Sequence, residues 1–401
     1  MKLMKFFVFL FGFLIYPFSF IIPRSKRKWT FGSFRNSFND NSKYLFIYAS
    51  RKFPDKNIVW ISAGKKTVKS INDLGLKAYY IGSIKGLLHT LSSKYWFFNS
   101  YTSDILFFAS GNAICVNLWH GVGLKKIEFS IKTGKLADRF VRKTLKERFY
   151  HPESFRRPDY LLSSTDFQSV KFAEAFRIKL SQCLNIGYPR NTILMATEEE
   201  RIRFISRYEN PATLELMKQL KSYENVFIYM PTWRDSQEDV FSNNIDLSIL
   251  NLIMQEKNHL LILKPHANTK VDIEKLSRYE NVILLDNKID IYTVLPYTNV
   301  LITDYSSVLY DYILMDNKDV ILYLYDMKEY IHERDFNYPF MENVTGKIVY
   351  NFEEFVNCLK KDDYKIDEIR KEEIKQKFWG AGWNKTIAEV SEEIIDKTIK
   401  L

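Results

Sequence analysis

The sequence predicts an α/β protein with two doubly wound parallel-sheet domains, and two observations lead to that prediction. Short apolar runs rich in β-branched and aromatic side chains alternate with polar stretches of helical character along most of the chain. This alternation is typical of βαβ units around a parallel sheet. The length of 401 residues exceeds the usual size of one domain, so we expect the alternation to build two.

Each apolar run ends near a polar residue or a glycine, as a buried strand does. In the first half the predicted strands are 56–62, 77–82, 94–100, 113–119 and 159–165. In the second half they are 225–231, 259–266, 281–286, 299–307 and 319–326. Helices are predicted at 66–75, 84–93, 196–222 and, from its apolar spacing, about 384–401.

The turn Gly-Tyr-Pro-Arg at 187–190 precedes the predicted domain boundary. We expect four parts: a membrane-associating segment, an acceptor domain, a donor domain and a C-terminal helix. They span residues 1–28, 29–192, 193–380 and 381–401. Two Rossmann-like domains of this kind suggest the GT-B arrangement, in which ligands bind at the strand ends in a cleft between the domains.

Residues 6–22 are seventeen consecutive uncharged residues between basic flanks. A membrane span needs about 20 apolar residues, and Pro17 would kink a helix here. The segment ends in Pro23 and Arg24 rather than in a small-residue cleavage site, which argues against a secretory signal. The pattern favours a helix lying on the cytoplasmic leaflet. The alternatives are a true span and a buried element of the first domain.

The formal net charge of +10 favours an anionic partner, either anionic lipid or a phosphorylated substrate. Zinc-finger spacing, RNP-like aromatic motifs and basic heptads are missing from the sequence, so we expect no nucleic-acid partner. Neither G-x-G-x-x-G nor a Walker A motif occurs, which argues against a nicotinamide dehydrogenase or a P-loop NTPase. The three cysteines are widely separated, as in a reduced compartment.

Polar residues with catalytic chemistry follow the predicted strand 113–119. His120 precedes Gly121, and Lys125 and Lys126 lie a few residues further on. Histidine titrates near neutral pH, so a histidine at a strand end is a candidate general base. Glycine lets the backbone approach a ligand closely, and the lysines add positive charge. A buried structural histidine is the alternative interpretation.

Three further strand ends in the second half carry candidate phosphate ligands. Arg234 follows the strand 225–231, and Lys264 and His266 close the strand 259–266. A guanidinium can bind a phosphate bidentately, although a solvated loop arginine is the default. No acidic cluster suggests a metal site or a dedicated cofactor, although Mg²⁺ could accompany a nucleotide.

The sequence VLITDYSSVLYDYILMD at 300–316 is the last of these strand ends. Thr303 ends the strand, and Ser306 and Ser307 open a predicted helix. Serine is an ordinary N-cap, but the same position offers hydroxyl and N–H donors to an anion. Asp311 lies one helical turn after Ser307 and could reach a ribose hydroxyl.

Several of these motifs resemble the CDP-glycerol glycerophosphotransferase family, the teichoic acid primases and polymerases. The matching segments are 28–49, NLWHGVGLKKI (117–127), NIGYPRN (185–191), YMPTWR (229–234), LILKPH (261–266), 300–316 and 348–355. Here the chain departs from the family pattern by carrying Val122 and Gly123 after His-Gly, and Lys264 before Pro265.

The resemblance implies a GT-B fold and a catalytic base at His120. It further implies that His266, Arg234, Thr303, Ser306 and Ser307 hold the donor phosphates. The expected reaction moves glycerol phosphate or ribitol phosphate from a CDP donor to a lipid-linked or cell-surface glycan acceptor, for teichoic acid or capsule synthesis. The alternatives are a GT-B glycosyltransferase, a nucleotide-sugar epimerase and a non-catalytic membrane-bound scaffold.

Overall fold

Two parallel β-sheets organise the chain, one in each of two units. Unit 1 comprises Met1–Thr192 and Trp379–Leu401, and unit 2 comprises Ile193–Phe378. The structure is a computed structural model, and it describes residues 2–134, 136–232, 245–264, 276–333 and 335–399, with side chains at 6–331 and 335–399 of these. Each unit is described by itself below.

The sheet of unit 1 has seven parallel strands in the order β3-β2-β1-β4-β5-β6-β7. The strands are β1 Ser25–Phe31, β2 Asn57–Ser62, β3 Ala78–Tyr80, β4 Ser93–Phe98, β5 Ile114–Asn117, β6 Tyr160–Ser163 and β7 Cys183–Asn185. Central strands such as NIVWIS are buried over nearly their whole length, because helices cover both faces of a doubly wound sheet.

The helices of unit 1 follow the βαβ alternation. They are α1 Lys2–Ile15, α2 Asp40–Lys52, α3 Lys65–Asp73, α4 Ile84–Ser92, α5 Ala137–Phe140, α6 Leu145–Tyr150 and α7 Asp166–Phe176. A short helix, α8 Thr192–Met195, starts at the end of unit 1 and continues into unit 2. Short 3₁₀ turns at Tyr16–Phe20, Phe107–Ala109 and Pro189–Asn191 complete the connections used below.

Unit 2 repeats the same doubly wound design with six parallel strands in the order β10-β9-β8-β11-β12-β13. The strands are β8 Asn225–Tyr229, β9 His259–Leu263, β10 Val282–Leu284, β11 Val300–Thr303, β12 Asp319–Tyr323 and β13 Lys347–Val349. The predicted fold class, α/β with two doubly wound parallel sheets, is confirmed.

The helices of unit 2 lie between these strands, and the last helix returns to unit 1. They are α9 Glu198–Tyr208, α10 Pro211–Leu220, α11 Leu247–Glu256, α12 Ile291–Val294, α13 Val308–Tyr312, α14 Met327–Glu333, α15 Phe352–Lys360, α16 Glu368–Trp379 and α17 Ile387–Thr398. Pro211 at the first turn of α10 and Asn210 as its N-cap divide the predicted helix 196–222 into two.

The N-terminal boundary after residue 28 cuts through a strand. Residues Ser25–Phe31 form β1, which lies in the middle of the sheet between β2 and β4. The basic residues 26–28, which the charge pattern placed in a lipid-binding flank, belong to the first part of β1, and only the last three residues of that strand, Trp29–Phe31, are buried. Arg24 faces inward: its guanidinium donates to five backbone carbonyl oxygens, including those of Gly111, Ser93 and Ala109.

Helix α1 is too short to cross a bilayer. Its 14 residues extend about 21 Å at 1.5 Å per residue, against a hydrocarbon core of about 30 Å. Within the described residues, no helix combines the length and the apolarity that a membrane span requires.

Candidate active site

His120 lies in an irregular loop, the histidine loop (residues 118–123), directly after β5. Trp119 has φ +50° and Gly121 has φ +137°, so the chain reverses sharply on both sides of the histidine. A side chain at Gly121 would be strained in that conformation, which explains the glycine. Gly123 is needed for packing, because an added Cβ would lie 2.5 Å from the ring of Phe172 on α7.

The imidazole of His120 is oriented by a single backbone contact. Its Nδ1 lies 3.1 Å from the carbonyl oxygen of Asn99, at the end of β4, and this oxygen can only accept. Nδ1 therefore carries the proton, and Nε2 keeps its lone pair for an incoming hydroxyl. The residue is exposed, so an incoming hydroxyl can approach it. The alternative of a buried histidine does not describe this residue.

The pKa of His120 is shifted below its usual value. Desolvation by the surrounding protein has the largest effect, while Asp40 and the Asn99 carbonyl raise the pKa and Arg190 lowers it. The net direction favours the neutral imidazole, which is the form that accepts a proton.

Side chains distant in sequence hold the histidine loop, and the sequence analysis did not assign them. The Asn41 amide donates to the carbonyls of Leu118 and Trp119, at 3.1 and 2.9 Å. The Tyr188 hydroxyl lies 3.2 Å from the Gly121 carbonyl. The motif NIGYPRN stands out in the sequence, but its contact with the histidine loop is visible only in the folded chain.

Lys125 and Lys126 follow the histidine loop and are half-buried. After the lysines the chain enters the 3₁₀ turn Glu128–Ser130, where Glu128 accepts a 2.5 Å hydrogen bond from Tyr101. Burial raises the pKa of Glu128 to about 7, against the opposing effects of Tyr101 and Arg139. The lysines thus lie on a stretch that is anchored at both ends.

In unit 2, the end of β11 uses two of its polar residues internally. Thr303 has no exposed surface, and its hydroxyl donates to the Met230 carbonyl at 2.8 Å. The Asp304 carboxylate accepts from the backbone N–H of Thr232 at 2.9 Å and of Tyr305 at 2.6 Å. These contacts hold the end of β8 beside the end of β11. In this structure the Thr303 hydroxyl therefore positions the chain after β8.

Ser306 and Ser307 are available for a ligand in a way that Thr303 is not. Both are partly exposed, and Ser307 precedes α13 without making a side-chain cap hydrogen bond. The Ser306 hydroxyl accepts a long contact of 3.4 Å from the N–H of Val308. Ser307 therefore does not serve as the plain N-cap that the sequence offered as an alternative. Its donors remain available to an anion.

Asp311 and Lys264 differ in accessibility. Asp311 is fully buried, and its carboxylate accepts a 2.5 Å hydrogen bond from the Tyr292 hydroxyl. In this arrangement it has no path to a ribose hydroxyl, and its part in donor binding stays a prediction. Lys264 follows β9 half-buried, with Nζ bonded to the Asn287 side chain. Desolvation lowers the pKa of Lys264, and Asp286 and Asp290 oppose that effect.

Arg234 and His266 lie outside the described residues, so their predicted phosphate contacts stay predictions.

Comparison with known proteins gives the context for this site. The staphylococcal teichoic acid glycerol-phosphate transferase of Staphylococcus aureus (strain NCTC 8325 / PS 47) is 26% identical over 82% of this chain and 82% of its own length. The teichoic acid poly(glycerol phosphate) polymerase of Staphylococcus epidermidis (strain ATCC 35984 / DSM 28319 / BCRC 17069 / CCUG 31568 / BM 3577 / RP62A) is 26% identical over 78% of this chain. The chain spans only 42% of that longer polymerase.

Solved structures agree on the fold. A structure of the wall teichoic acid polymerase TagF superposes with a TM-score of 0.75 at 23% identity, covering 94% of this chain and 90% of that one. A UDP-GlcNAc 2-epimerase from Neisseria meningitidis gives a TM-score of 0.54 at 12% identity, over 93% and 99% of the two chains.

The family comparison is more specific than either structure. The family described as CDP-Glycerol:Poly(glycerophosphate) glycerophosphotransferase matches residues 14–381, which include all of the candidate site residues. The chain is therefore an enzyme and belongs to the CDP-glycerol:poly(glycerophosphate) glycerophosphotransferase family.

Proposed function

We propose that this enzyme transfers glycerol phosphate, or a related polyol phosphate, from a CDP-activated donor to a lipid-linked or cell-surface glycan acceptor. CMP is the second product, and the pathway is synthesis of teichoic acid or a capsule-type polymer. The family match supports the reaction class. The observation that carries the assignment of chemistry is the exposed His120 imidazole, with Nδ1 bonded to Asn99 and Nε2 available as a base.

The proposed reaction is an in-line substitution at the phosphorus that bears the polyol. An acceptor hydroxyl gives its proton to Nε2 of His120 while its oxygen bonds to the phosphorus. The bond from that phosphorus to the bridging oxygen breaks, and CMP leaves with the bridging oxygen. Positioning and charge neutralisation contribute most of the catalysis in phosphoryl transfer, so the base needs to be well oriented more than strongly basic.

Unit 2 offers the ligands for the donor pyrophosphate. The hydroxyl of Ser307 and the backbone N–H groups at 306–307 are neutral donors, and Lys264 supplies a positive charge near the end of β9. We propose that these groups stabilise the negative charge of the donor as CMP departs. Arg234 and His266 are proposed to join them on the motif resemblance.

A second candidate function is that of a nucleotide-sugar epimerase or GT-B glycosyltransferase, because an epimerase shares the fold. That likeness covers the fold alone. The family match and the polyol-phosphate relatives favour the phosphotransferase.

The test is a CMP-release assay with the full-length protein, CDP-glycerol or CDP-ribitol, and a lipid-linked acceptor, with product mass as the second readout. We expect acceptor-dependent CMP release and a mass gain of one polyol phosphate. His120→Ala should reduce turnover by about 10²–10⁴-fold with an unchanged melting temperature. Near-normal turnover in a folded His120→Ala variant would show that His120 is not the base. Transfer of a sugar without release of CMP would show that the enzyme is a glycosyltransferase and contradict the proposed reaction.

We also propose a peripheral location on the cytoplasmic face of the membrane, where the acceptor is anchored. Helix α1 is apolar from Phe6 to Ile15: the rings of Phe9 and Phe13 pack against Phe149 of α6 and against Phe108, and Gly12 lets the helix approach Phe108 closely. The opposite side is exposed. Its large exposed side chains include Phe7, Val8, Phe11 and Leu14, and Phe18 and Ile21 just beyond the helix are exposed as well.

An exposed apolar face of this size needs a cover, because isolated soluble domains rarely leave such a patch in water. Helix α6 extends the face: Leu145 is 86% exposed and lies one turn from Phe149, which contacts α1. Lys146 is exposed beside it. Apolar side chains next to lysine suit the surface of an anionic bilayer. We propose this bilayer as the partner of α1 and α6.

A further inference from the structure

The backbone of the histidine loop is held by side chains at every step. The carbonyls of residues 118, 119, 120 and 121 each accept a hydrogen bond from a side chain. The donors come from two places only: the N-terminus of α2, and the segment Tyr188–Arg190 after β7. A loop outside regular secondary structure needs such bonds to keep one conformation, because it has no ladder of its own.

Arg190 is the central member of this set. Its Nη2 donates to the carbonyl of His120 at 2.9 Å, and its Nη1 pairs with the Asp40 carboxylate at 2.7 Å. Its backbone N–H donates to Asn41 at 3.1 Å. The guanidinium thus joins the reacting residue to the start of α2 through one rigid planar group.

Asp40 and Arg190 are an unusual pair to find at such a position. The Arg190 side chain is 6% exposed and that of Asp40 is 21% exposed. Asp40 also adopts φ +60°, a left-handed conformation that aspartate tolerates better than most residues and that turns the chain into α2. Because replacing a buried ion pair by hydrophobic residues is often neutral for stability, a largely buried pair that touches the His120 backbone points to a role in geometry.

We propose that the Asp40–Arg190 pair is a positioning device for the transfer reaction. It fixes the backbone of His120, and its two charges act on the imidazole with opposite sign. The proposal rests on His120 as the base of the proposed function. Neither Asp40 nor Arg190 needs to contact the substrate, so both are positioning residues.

The charges of Asp40 and Arg190 both act on the pKa of His120. The carboxylate of Asp40 raises the pKa of His120, and the guanidinium of Arg190 lowers it, both beneath the larger lowering by desolvation. Asp104 is a further titratable group at this end of the sheet: its carboxylate accepts from the N–H groups of Asn99 and Ser100. Burial raises the pKa of Asp104 to about 7, so Asp104→Asn is needed as a control.

The test compares Asp40→Asn and Arg190→Gln by the pH dependence of kcat/KM. A general base works when neutral, so the rate rises as pH passes its pKa. Loss of the Asp40 charge disfavours the imidazolium and should move this rise to lower pH by roughly 0.5–1 unit. Loss of the Arg190 charge should move it to higher pH by a similar amount. Asp104→Asn should leave both displacements in place.

Titration of ¹³C-labelled histidine by NMR measures the same displacements without turnover, and His120→Ala assigns the signal among the six histidines. The inference is overturned if both variants shift the His120 titration in one direction or leave it unchanged. A purely structural role would lower the melting temperature without opposite shifts of the His120 pKa.

If Arg190→Gln does not fold, Arg190→Lys provides the test. It keeps the positive charge, so the pKa of His120 should stay unchanged while kcat falls about tenfold or more. Absence of transfer with opposite NMR shifts would contradict the proposed function and leave the positioning intact.

Discussion

Ser306 and Ser307 provide the sharpest residue-scale test in unit 2. Replacing both by alanine should weaken CDP-glycerol binding by roughly tenfold or more, because a hydrogen bond to a charged group contributes about 1.5–3 kcal/mol. The melting temperature should change little, since the Ser307 hydroxyl caps nothing and Ser306 makes only a 3.4 Å contact. Calorimetric titration and thermal unfolding measure the two quantities.

Thr303→Val is the matched control for the serine pair. The Thr303 hydroxyl is buried and bonded to the Met230 carbonyl, so its loss should lower stability by about 1–3 kcal/mol. Any loss of donor affinity should be secondary to that. Unchanged affinity with a lowered melting temperature in the double serine variant would assign the serines to the fold.

Residue type and position near a strand end identified candidates at this scale without revealing their contacts. Thr303 and Asp311 are polar residues next to β11, as the pattern required, yet their side chains bond inside unit 2. Asp40 and Arg190 carried no such pattern and are 150 positions apart in the chain. Their relation to His120 arises from the order of strands, which brings the ends of β7 and β5 to one edge of the sheet.

At the scale of elements, α1 and α6 predict binding to a membrane surface. Phe7→Ser, Phe11→Ser and Leu14→Ser combined should reduce partition onto vesicles of phosphatidylglycerol and phosphatidylcholine by at least roughly 100-fold, since each buried side chain contributes about 1.5–3 kcal/mol. Leu145→Ser should have a smaller effect in the same direction. Vesicle sedimentation measures the partition.

Ile369→Ser is the matched control, because Ile369 is an equally large apolar side chain, 78% exposed, on α16 and not on α1 or α6. Its partition should equal that of the wild type. High salt should release part of the wild-type protein, because screening weakens the contribution of the lysines. Equal losses in the α1 variant and the control would show that another surface binds lipid.

Point substitutions are preferable to truncation in this experiment. Deleting residues 1–28 would remove the first four residues of β1, a central strand whose next residue, Trp29, is fully buried. Such a deletion should prevent folding of unit 1, and its effect on activity would not report on lipid binding.

At the scale of the whole molecule, unit 1 depends on the C-terminal end of the chain. Helix α17 buries Val390, Ile394 and Ile395, and Glu392 bonds the Tyr48 hydroxyl at 2.6 Å and Lys52 at 2.9 Å on α2. Ile394→Ala should lower the stability of unit 1 by about 2–5 kcal/mol. Hydrogen exchange should report faster exchange in β1–β7 than in the wild type, with β8–β13 unchanged.

Glu392→Gln is the mild counterpart, since a surface ion pair contributes only about 0–1 kcal/mol. Its exchange pattern should resemble the wild type. A uniform loss of protection across both sheets in Ile394→Ala would contradict the division into units that unfold separately.

The fold class and most strands follow from the sequence, because alternation of buried apolar runs with helices reports burial directly. The structure matches the predicted runs at β2–β6 and β8–β12 to within a few residues at each end. Three strands escaped this reasoning. β1 is basic over its exposed first half, and β7 (Cys-Leu-Asn) and β13 (Lys-Ile-Val) each contain only two apolar residues, which is too short a run to stand out.

The sequence by itself also determined the family, and it singled out His120 as the candidate base, since both inferences depend on contiguous motifs. Only the tertiary structure decided how the histidine is held. Asn41, Asn99, Tyr188 and Arg190 meet at the histidine loop because parallel strands deliver their carboxyl ends to one edge, in an order unrelated to sequence distance. Hydrogen bonds form between neighbours in space, and local patterns along a chain contain no record of such neighbours.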